Sequence, residues 1–305
     1  MRFGVVILPD QRWSQAQRRW RRAEELGFDH AWTYDHLGWR DLVDGPWFGT
    51  VPTLTAAALV TRRIRLGTMV ASPNFRHPVS FTRDVTAIDD VSGGRLVLGL
   101  GAGAGGSSFD NRVLGAPPLS PRARVDRFAE FAGLLDRLLR EDRVSWSGEY
   151  YTAVDARSTP GCVQQPRVPF VLAANGPRSM RIAARLGEGW VTTGGVAADP
   201  GGDTSAWWRS VADLARRFED AAGQAGRDYQ ALDRYLSLDA SGGFALASEG
   251  YFADVAGRAA DLGFTDAITH WPRPSGPYEG SESVLEAVAA SALAAIRAAG
   301  PPAGR

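Results

Sequence analysis

Two kinds of segment alternate along the chain, short apolar runs and longer stretches with helical spacing. The short runs are rich in β-branched residues and apolar almost throughout, which is typical of strands covered on both faces. They predict eight strands, at residues 2–8, 30–34, 64–70, 95–101, 169–174, 189–193, 234–240 and 266–271. Because both faces are apolar, these strands are expected to form a buried parallel sheet.

The longer stretches place apolar residues three or four positions apart, as one face of a helix requires. In the first stretch Ser14 is the expected N-cap and Gly27 the expected stop, around an apolar stripe of Ala16, Trp20, Ala23 and Leu26. The same spacing predicts helices near 51–61, 78–90, 122–140, 177–186, 205–223, 249–262 and 281–299. Strand followed by helix, eight times over, predicts an α/β fold of the TIM (β/α)8 barrel type, with an open doubly wound sheet as the alternative.

One long connection, residues 142–168, interrupts this alternation. Its segment "VSWSGEYYTAV" predicts a hairpin that turns at Ser147 and Gly148, and the remainder predicts an extended loop held by prolines. We therefore expect a single barrel domain over residues 1–305, with an insertion at about 142–168 and a frayed C-terminal tail at about 299–305.

Composition narrows the classes of function. The 34 basic residues balance 34 acidic ones, so no net charge attracts nucleic acid or an anionic membrane surface. Every basic residue is an arginine, which excludes enzymes that depend on a Schiff-base, pyridoxal-phosphate or P-loop lysine. The four histidines do not form a metal-binding motif, and the G-x-S-x-G elbow of serine hydrolases is missing.

Cysteine content and hydropathy indicate a cytoplasmic setting. Cys162 is the only cysteine, which rules out an internal disulfide and suits a reducing compartment. The N-terminal segment predicts a first strand rather than a signal peptide, and no stretch reaches the roughly 18 apolar residues that a membrane span needs. We expect a soluble protein whose partner is a small molecule.

The segment "AANGPRSM" (173–180) is the best candidate for an anion site, because active sites of such barrels lie at the carboxyl ends of the strands. Asn175 and Gly176 end a strand, and Pro177 suits a first helical position. Free amides near Arg178 and Ser179 would then meet a phosphate. The alternative is an ordinary capped helix.

A glycine-rich segment, "GLGAGAGG", follows the fourth strand. It does not open a helix directly, so it is a weak signal for a dinucleotide site. Two interpretations of Gly101, Ala102 and Gly103 remain open: a backbone that lies close to a ligand, or simple loop flexibility.

Asp35 and His36 stand side by side where the second strand ends, and Trp39 follows three positions on. They are either a turn aspartate with a packed histidine or part of a site that holds a planar cofactor. Because adjacent residues on a strand point to opposite faces, one of the pair should face the barrel axis or its mouth. We interpret His30 as structural and His77 as the neighbour of a helix cap. The role of His270 is left undecided.

Four segments resemble, in order and spacing, the bacterial-luciferase-like flavin and deazaflavin oxidoreductases. They are "AEELGFDHAWTYDH" (23–36), "RIRLGTMVASPNFRHPVSFTRDVTAIDDVSGGRLVLGLGAG" (63–103), "GEYY" (148–151) and "PFVLAANGPRSMRIAARLGEGWVTT" (169–193). The resemblance implies a TIM barrel with an insertion that binds FMN or the deazaflavin coenzyme F420 at the strand ends. It also implies a cofactor phosphate at residues 175–179 and a non-proline cis peptide between Met69 and Val70 that supports the ring.

The same resemblance suggests roles beside the reactive edge of the ring. Asp35 and His36 match the Asp-His pair of the deazaflavin-using members, Asp10 falls where these often have a glutamate near the substrate, and Trp39 resembles their active-site tryptophan. Sugar-phosphate and alcohol dehydrogenases of the family carry a glutamate where this chain has Ala104. Proton delivery would then fall to His36, Asp10 or solvent.

The activity that the resemblance implies is hydride transfer between C5 of F420 and a small organic substrate, most simply as a reductase. One alternative is an FMN-dependent monooxygenase that receives reduced flavin from a partner reductase, and another is a non-catalytic flavin-binding homologue. Arg76 and Arg178 are expected to meet the cofactor's phosphate and acidic tail. Family members are often homodimers, so a homodimer is possible here.

Overall fold

The computed structural model describes residues 1–103, 108–196 and 203–293. Its strands in these ranges are β1 (Arg2–Val6), β2 (His30–Thr33), β3 (Arg65–Thr68), β4 (Leu96–Gly101), β5 (Arg143–Ser147), β6 (Thr152–Arg157), β7 (Phe170–Ala173), β8 (Gly189–Thr192), β9 (Asp233–Ser237) and β10 (Asp266–His270). All strands except β5 and β6 are parallel and close into a barrel in the order β1-β10-β9-β8-β7-β4-β3-β2. The predicted eight strands and the predicted TIM barrel are confirmed.

Helices surround this barrel within the described ranges. They are α1 (Trp13–Glu25), α2 (Thr50–Val60), α3 (Pro78–Ser92), α4 (Phe109–Val113), α5 (Pro121–Arg140), α6 (Pro177–Leu186), α7 (Ser205–Gln224), α8 (Glu249–Asp261) and α9 (Glu282–Val288), the last continuing as a π-helical turn, Ala289–Leu293. None of these helices combines the length and the apolar character that crossing a bilayer requires.

Two details of the helices differ from the prediction. The N-cap of α1 is Arg12, without a side-chain hydrogen bond, because the helix begins at Trp13 and includes Ser14. Helical spacing also did not predict α4, since its five residues are too few to show a period. Pro78, Pro121 and Pro177 each stand at the first turn of a helix, where proline lacks no needed donor.

The strands are buried on both faces, which explains why their sequences do not alternate. One set of side chains packs under the helices, as Phe3, Val5 and Ile7 of the first strand do with Trp20 of α1. The other set fills the barrel interior: Val6, Leu8, Trp32, Tyr34, Val97, Val171, Val191, Tyr235 and Ile268. A barrel filled in this way is a packed core, so a ligand site can lie only at its ends.

The predicted hairpin in the insertion is confirmed, since β5 and β6 pair antiparallel. Its turn comes slightly later than predicted, closed by the bond from the Gly148 amide to the Tyr151 carbonyl at 3.0 Å. Glu130 of α5 holds the turn by accepting the amides of residues 149, 150 and 151 at 3.0, 3.0 and 2.8 Å. The predicted tail at 299–305 and Ala104 lie outside the described residues.

Candidate active site

The carboxyl ends of the barrel strands form a mouth lined by partly buried apolar side chains. These side chains come from the ends of β2, β3, β7 and β10 and pack on the barrel interior: Trp39, Leu42, Trp47, Met69, Val70, Ala173 and Tyr278. Aromatic rings and a thioether offer large, adaptable contact surfaces. This lining suits a flat heteroaromatic ligand.

His36 is held by a buried carboxylate from another part of the chain. Its Nδ1 lies 2.7 Å from Oδ2 of Asp110, and Oδ1 of Asp110 accepts the amide of Leu37 at 2.7 Å. Asp110 is only 1% exposed and stands in α4, whose N-cap Ser108 accepts the amide of Asn111. A carboxylate at Nδ1 sets the tautomer of the imidazole. Its Nε2 has no hydrogen-bond partner within the described ranges and is free for another molecule.

Aromatic rings fix the plane of this imidazole. The ring of Trp39 lies 4.6 Å from that of His36, tilted by 33°, and also 5.1 Å from the ring of Tyr34. Trp47 donates its indole N–H to the carbonyl of His36 at 2.7 Å. The structure thus brings together His36 and Trp39, which the sequence analysis had grouped.

Asp35 faces a different neighbour from His36, as adjacent positions at a strand end should. It is buried, and its two oxygens accept Arg76 Nη2 at 2.7 Å and Nε at 3.1 Å. Arg76 also contacts Asp84 at 3.4 Å, and burial raises the pKa of Asp84. Two carboxylates therefore already neutralise Arg76, contrary to the expectation that it meets a phosphate or an acidic tail.

Asp10 lies at the end of β1 and connects two other elements. Its carboxylate pairs with Arg19 of α1 at 3.3 Å and with Arg273, after β10, at 3.0 Å. Burial lowers the pKa of Arg19, and the charge of Asp10 acts in the opposite direction by raising that pKa. In the described part of the chain no hydrogen bond joins Asp10 to His36, so the expected role of Asp10 near the substrate stays a prediction.

The peptide bond between Met69 and Val70 is cis, as the resemblance implied. Val70 packs closely against β4, because a Cβ added at Gly101 would lie 2.7 Å from its Cγ2. The small size of Gly101 is therefore required by a protein neighbour. The close approach at Gly101 is to Val70, and the interpretation that the backbone there lies close to a ligand stays a prediction.

A group of buried donors lies beyond the end of β4. Gly103 has a φ of +76°, and a Cβ there would come within 2.6 Å of the side-chain amide of Asn74. Partly buried Ala102 separates it from the strand. Arg124 donates to the Gly103 carbonyl at 2.8 Å and Arg127 to Asn74 Oδ1 at 2.7 Å. Among the described residues, which do not include 104–107, Nε of both arginines and Nδ2 of Asn74 are buried without a hydrogen-bond partner, which suits an oxygen-rich ligand.

The start of α6 has the features of an anion site. Gly176 is its N-cap and Pro177 its first residue, and no side chain caps the first turn. Ser179 donates to the Gly176 carbonyl at 2.9 Å, and Asn175 accepts from Thr192 at 2.6 Å. Arg178 is exposed and pairs with Asp126 of α5. First-turn amides without a cap, beside an arginine, favour an anion.

The other two histidines agree with their interpretation. His30 is buried with both ring nitrogens bonded, and His77 is the extended N-cap of α3, its Nδ1 accepting the Val79 amide at 3.2 Å. Sequence reasoning missed Asp110, because it placed the residue in a loop. A serine before "FDNRV" was the available signal of a short capped helix.

The fold defines a TIM (β/α)8 barrel, and the mouth is typical of barrels that take a flat ligand with an anionic end. The chain belongs to the luciferase-like monooxygenase family, whose model matches residues 1–241.

Two relatives and one solved structure illustrate this membership. The chain is 37% identical to the F420-dependent glucose-6-phosphate dehydrogenase of Beutenbergia cavernae over 57% of its own length and 50% of that protein. It is 26% identical to the 5,10-methylenetetrahydromethanopterin reductase of Methanopyrus kandleri over 76% of its length and 63% of that protein. The matches thus span only part of these relatives. The structure of the coenzyme F420 dependent tetrahydromethanopterin reductase from the same organism has a TM-score of 0.76 at 19% identity, covers 94% of this chain and 97% of that chain, and agrees in fold.

Proposed function

We propose that this protein is an F420-dependent oxidoreductase that transfers a hydride between C5 of the deazaflavin and a small organic substrate, in the direction of reduction. The observation that carries the proposal is His36, with Nδ1 held by buried Asp110 and Nε2 free beside Trp39 at the mouth. An imidazole oriented in this way can give or take a proton at a bound substrate. The choice of F420 as the cofactor follows from relatives that are named F420-dependent.

The residues at the mouth fit this cofactor. Met69 and Val70 offer an apolar surface for the ring, and the start of α6 offers amides for its phosphate. The buried donors of Asn74, Arg124 and Arg127 suit its further oxygens. When bound, F420 supplies the hydride chemistry, and the protein supplies orientation and a proton.

Each predicted site residue except Asp10, which stays a residue expected near the substrate, takes one task in this proposal. His36 donates a hydrogen bond or a proton to the substrate, and Trp39 holds the imidazole plane. Asp35 sets Arg76 in place at the end of β3. The phosphate is assigned to Asn175, Gly176, Pro177, Arg178 and Ser179, and the ring surface to Met69, Val70, Gly101, Ala102 and Gly103.

An FMN-dependent monooxygenase supplied by a partner flavin reductase is the second candidate, favoured by the name of the family model. The same phosphate site and apolar mouth would serve it. Deazaflavin carries carbon where flavin carries the nitrogen of its reactive position, so it favours hydride transfer over oxygen activation. The cofactor therefore decides between the two reactions.

The test is a side-by-side fluorescence titration of the purified protein with F420 and FMN, each oxidised and reduced. Tight binding of F420 alone supports hydride transfer and directs the substrate search to imines, enones and carbonyls. Preference for reduced FMN overturns the proposal and points to oxygen consumption. Binding of neither cofactor by a folded barrel would point to a non-catalytic homologue. We place the protein in the cytoplasm, and a homodimer stays a prediction for light scattering to test.

A further inference from the structure

Four side chains form a continuous hydrogen-bonded chain from a buried carboxylate to the mouth of the barrel. Asp239, in the short helical turn after β9, lies with Oδ2 2.6 Å from His270 Nδ1. His270 Nε2 is 2.8 Å from the hydroxyl of Tyr34, and that hydroxyl is 3.2 Å from the hydroxyl of Tyr278. The ring of Tyr278 stacks on that of His270 at 3.5 Å and 4°.

The hydrogen-bond partners of Asp239 fix which atoms donate and which accept along this hydrogen-bonded chain. Oδ2 also accepts the backbone amide of His270 at 2.7 Å, and Oδ1 accepts the amide of Ala245 at 2.8 Å. A carboxylate so engaged accepts from Nδ1–H of His270, which leaves Nε2 to accept from Tyr34. Tyr34 can then accept from Tyr278. When the imidazole is neutral, all three bonds donate inward. When it is protonated, Nδ1–H still donates to Asp239, while Nε2–H donates to Tyr34 and Tyr34 can donate to Tyr278.

Burial separates the inner members of the chain from its outer end. Asp239, His270 and Tyr34 are nearly inaccessible, whereas Tyr278 is partly exposed among the side chains of the mouth. Burial raises the pKa of Tyr34 well above its ordinary value and also raises that of Tyr278. Both hydroxyls therefore stay protonated near neutral pH and remain donors.

The backbone at Tyr278 is unusual. Its φ is +64°, a left-handed conformation that a bulky side chain rarely adopts. The Tyr278 carbonyl accepts the amide of Arg273 at 2.8 Å, which holds the segment in this conformation. Outliers of this kind concentrate at functional sites, because the surrounding structure must support their cost.

We propose that Tyr278 is a catalytic acid and base at the mouth, and that Tyr34, His270 and Asp239 are positioning residues that pass its proton to and from the interior. The proposal rests on the proposed oxidoreductase function and names the proton path for it. Tyr278 supplies the proton in this proposal, and His36, whose ring lies 6.0 Å from that of Tyr34, holds the substrate through a hydrogen bond at Nε2. It requires no carboxylate at position 104.

The proton movements balance those of the reaction. In reduction the substrate carbon of a C=O or C=N bond receives a hydride with its electron pair, and the oxygen or nitrogen receives the proton of Tyr278. Tyr278 takes the proton of Tyr34, and Tyr34 takes the Nε2 proton of protonated His270. His270 ends neutral, with Nδ1–H on Asp239, and regains its Nε2 proton from water at the mouth through Tyr278 and Tyr34 before the next turnover. Oxidation of an alcohol or amine runs through the same steps in reverse.

Charged groups from each neighbouring element act on this chain. Arg40 after β2 and Arg273 after β10 lower the pKa of Tyr278, and Asp239 after β9 raises it. His36 faces Tyr34 across the ring contact described above. A pH profile must therefore be compared between variants of the chain and a tyrosine variant outside it.

The first readout needs neither cofactor nor substrate. In protein labelled with ¹⁵N-histidine and assigned through His270→Gln, Nδ1 of His270 is expected to be protonated. Nε2 is expected to be hydrogen-bonded to Tyr34, as the acceptor in the neutral imidazole and as the donor in the protonated one. Tyr34→Phe should move the Nε2 resonance, whereas Tyr251→Phe, which removes a hydroxyl bonded to Ser241, should leave it unchanged. An unchanged resonance in Tyr34→Phe overturns the relay.

The second readout is turnover, with reduced F420 and cyclohexanone as the probe, and with oxidised F420 and cyclohexanol for the reverse direction. Tyr278→Phe should lower kcat by roughly 10- to 1,000-fold with KM nearly unchanged, and reduce the solvent deuterium isotope effect on kcat. His270→Gln should remove one limb of the pH profile that Tyr251→Phe keeps. Wild-type kcat and isotope effect in Tyr278→Phe overturn the proposal, provided that thermal melts show folded variants.

The two proposals fail in different ways. Wild-type protein that binds F420 and turns over neither probe contradicts the proposed function, and the NMR readout alone then decides the relay. Protein that binds no F420 while Tyr34→Phe shifts the His270 signal leaves the hydrogen-bonded chain standing and removes its redox role.

Discussion

The two ends of the barrel each hold a histidine paired with a buried aspartate, and their hydrogen bonds differ in one respect. At the amino end of the strands, His30 accepts from Trp32 at 2.6 Å and donates to Asp266 at 3.0 Å, so both nitrogens are used. At the mouth, His36 uses only Nδ1, on Asp110. The pair at the amino end is closed by partners in the core and stabilises the fold, whereas Nε2 of His36 is left to meet another molecule.

Asp266 shows how complete the pairing at the amino end is. Its two oxygens also accept Arg2 at 2.8 and 2.7 Å and the hydroxyl of Thr265 at 2.5 Å. Although burial alone would raise its pKa, the hydrogen bonds and charges of His30 and Arg2 lower the pKa of Asp266 to about 2. Described residues thus engage both oxygens of Asp266, which makes this pair the stability counterpart of the mouth.

Loss of the His30–Asp266 pair should have the largest effect, on the stability of the fold. Asp266→Ala leaves buried His30 and the guanidinium of Arg2 without their carboxylate, and should lower the free energy of unfolding by about 3–5 kcal/mol. Urea denaturation measures it. Glu141→Gln, in an exposed pair with Arg137, is the matched control and should change stability little. If Asp266→Ala does not fold, Asp266→Asn serves. Equal small losses in both variants would contradict the structural role.

His36→Ala should lower activity and leave stability nearly unchanged, the reverse of Asp266→Ala. Turnover should fall roughly 100-fold, as for loss of a group positioned on the reacting substrate, while F420 affinity changes by a small factor and stability is nearly unchanged. Steady-state kinetics and cofactor titration measure both quantities. His77→Asn, which keeps a helix cap away from the mouth, is the control. Equal losses of affinity and turnover would make His36 a residue that holds the cofactor instead.

Acid should weaken the amino end through Asp266. Its pKa in the folded protein is about 2, below an ordinary value of 3.8, so its contribution to stability is complete above about pH 4 and is lost as the pH falls towards 2. The difference corresponds to about 2.5 kcal/mol, at about 1.4 kcal/mol per pKa unit. Unfolding free energies of the wild type and Asp266→Asn should therefore converge between pH 4 and pH 2. Parallel curves would exclude this assignment.

The smallest effect concerns the phosphate contact at the mouth. Arg178→Ala should weaken F420 binding by roughly 1 to 3 kcal/mol, as for loss of a charge-assisted hydrogen bond. Arg181→Ala, one turn further along α6 and exposed, should leave affinity unchanged. Isothermal titration calorimetry of both variants with F420 distinguishes the loss of a local contact from the loss of one positive charge on α6. Unchanged affinity in Arg178→Ala would remove the phosphate assignment.

The strands and most helices could be predicted because their signals are local. Apolar runs and helical spacing located all eight barrel strands, and the order of strand and helix implied closure. Predictions that depended on a single residue were weaker. Ser14 suits a cap by type, yet packing starts α1 before it, and α4 is too short for any periodicity.

The position of the candidate site could be predicted from the sequence, but the hydrogen-bond partners of its residues could not. Residues at the strand ends had to meet at the mouth, so His36, Trp39 and the start of α6 could be selected from sequence. Arg76 was assigned to a phosphate because arginine suits one, and only the structure revealed that Asp35 and Asp84 occupy it. The undecided His270 is likewise explained by Asp239 and Tyr34.

The sequence by itself determined the barrel, the end that carries the site and the residue types available there, because these follow from spacing along the chain. Only the tertiary structure decided which charges are neutralised and which atoms stay free. Asp110 meets His36 across 74 positions, and Tyr34 meets His270 across 236. Such partners are chosen by the directions of side chains in a packed core, which no local pattern encodes.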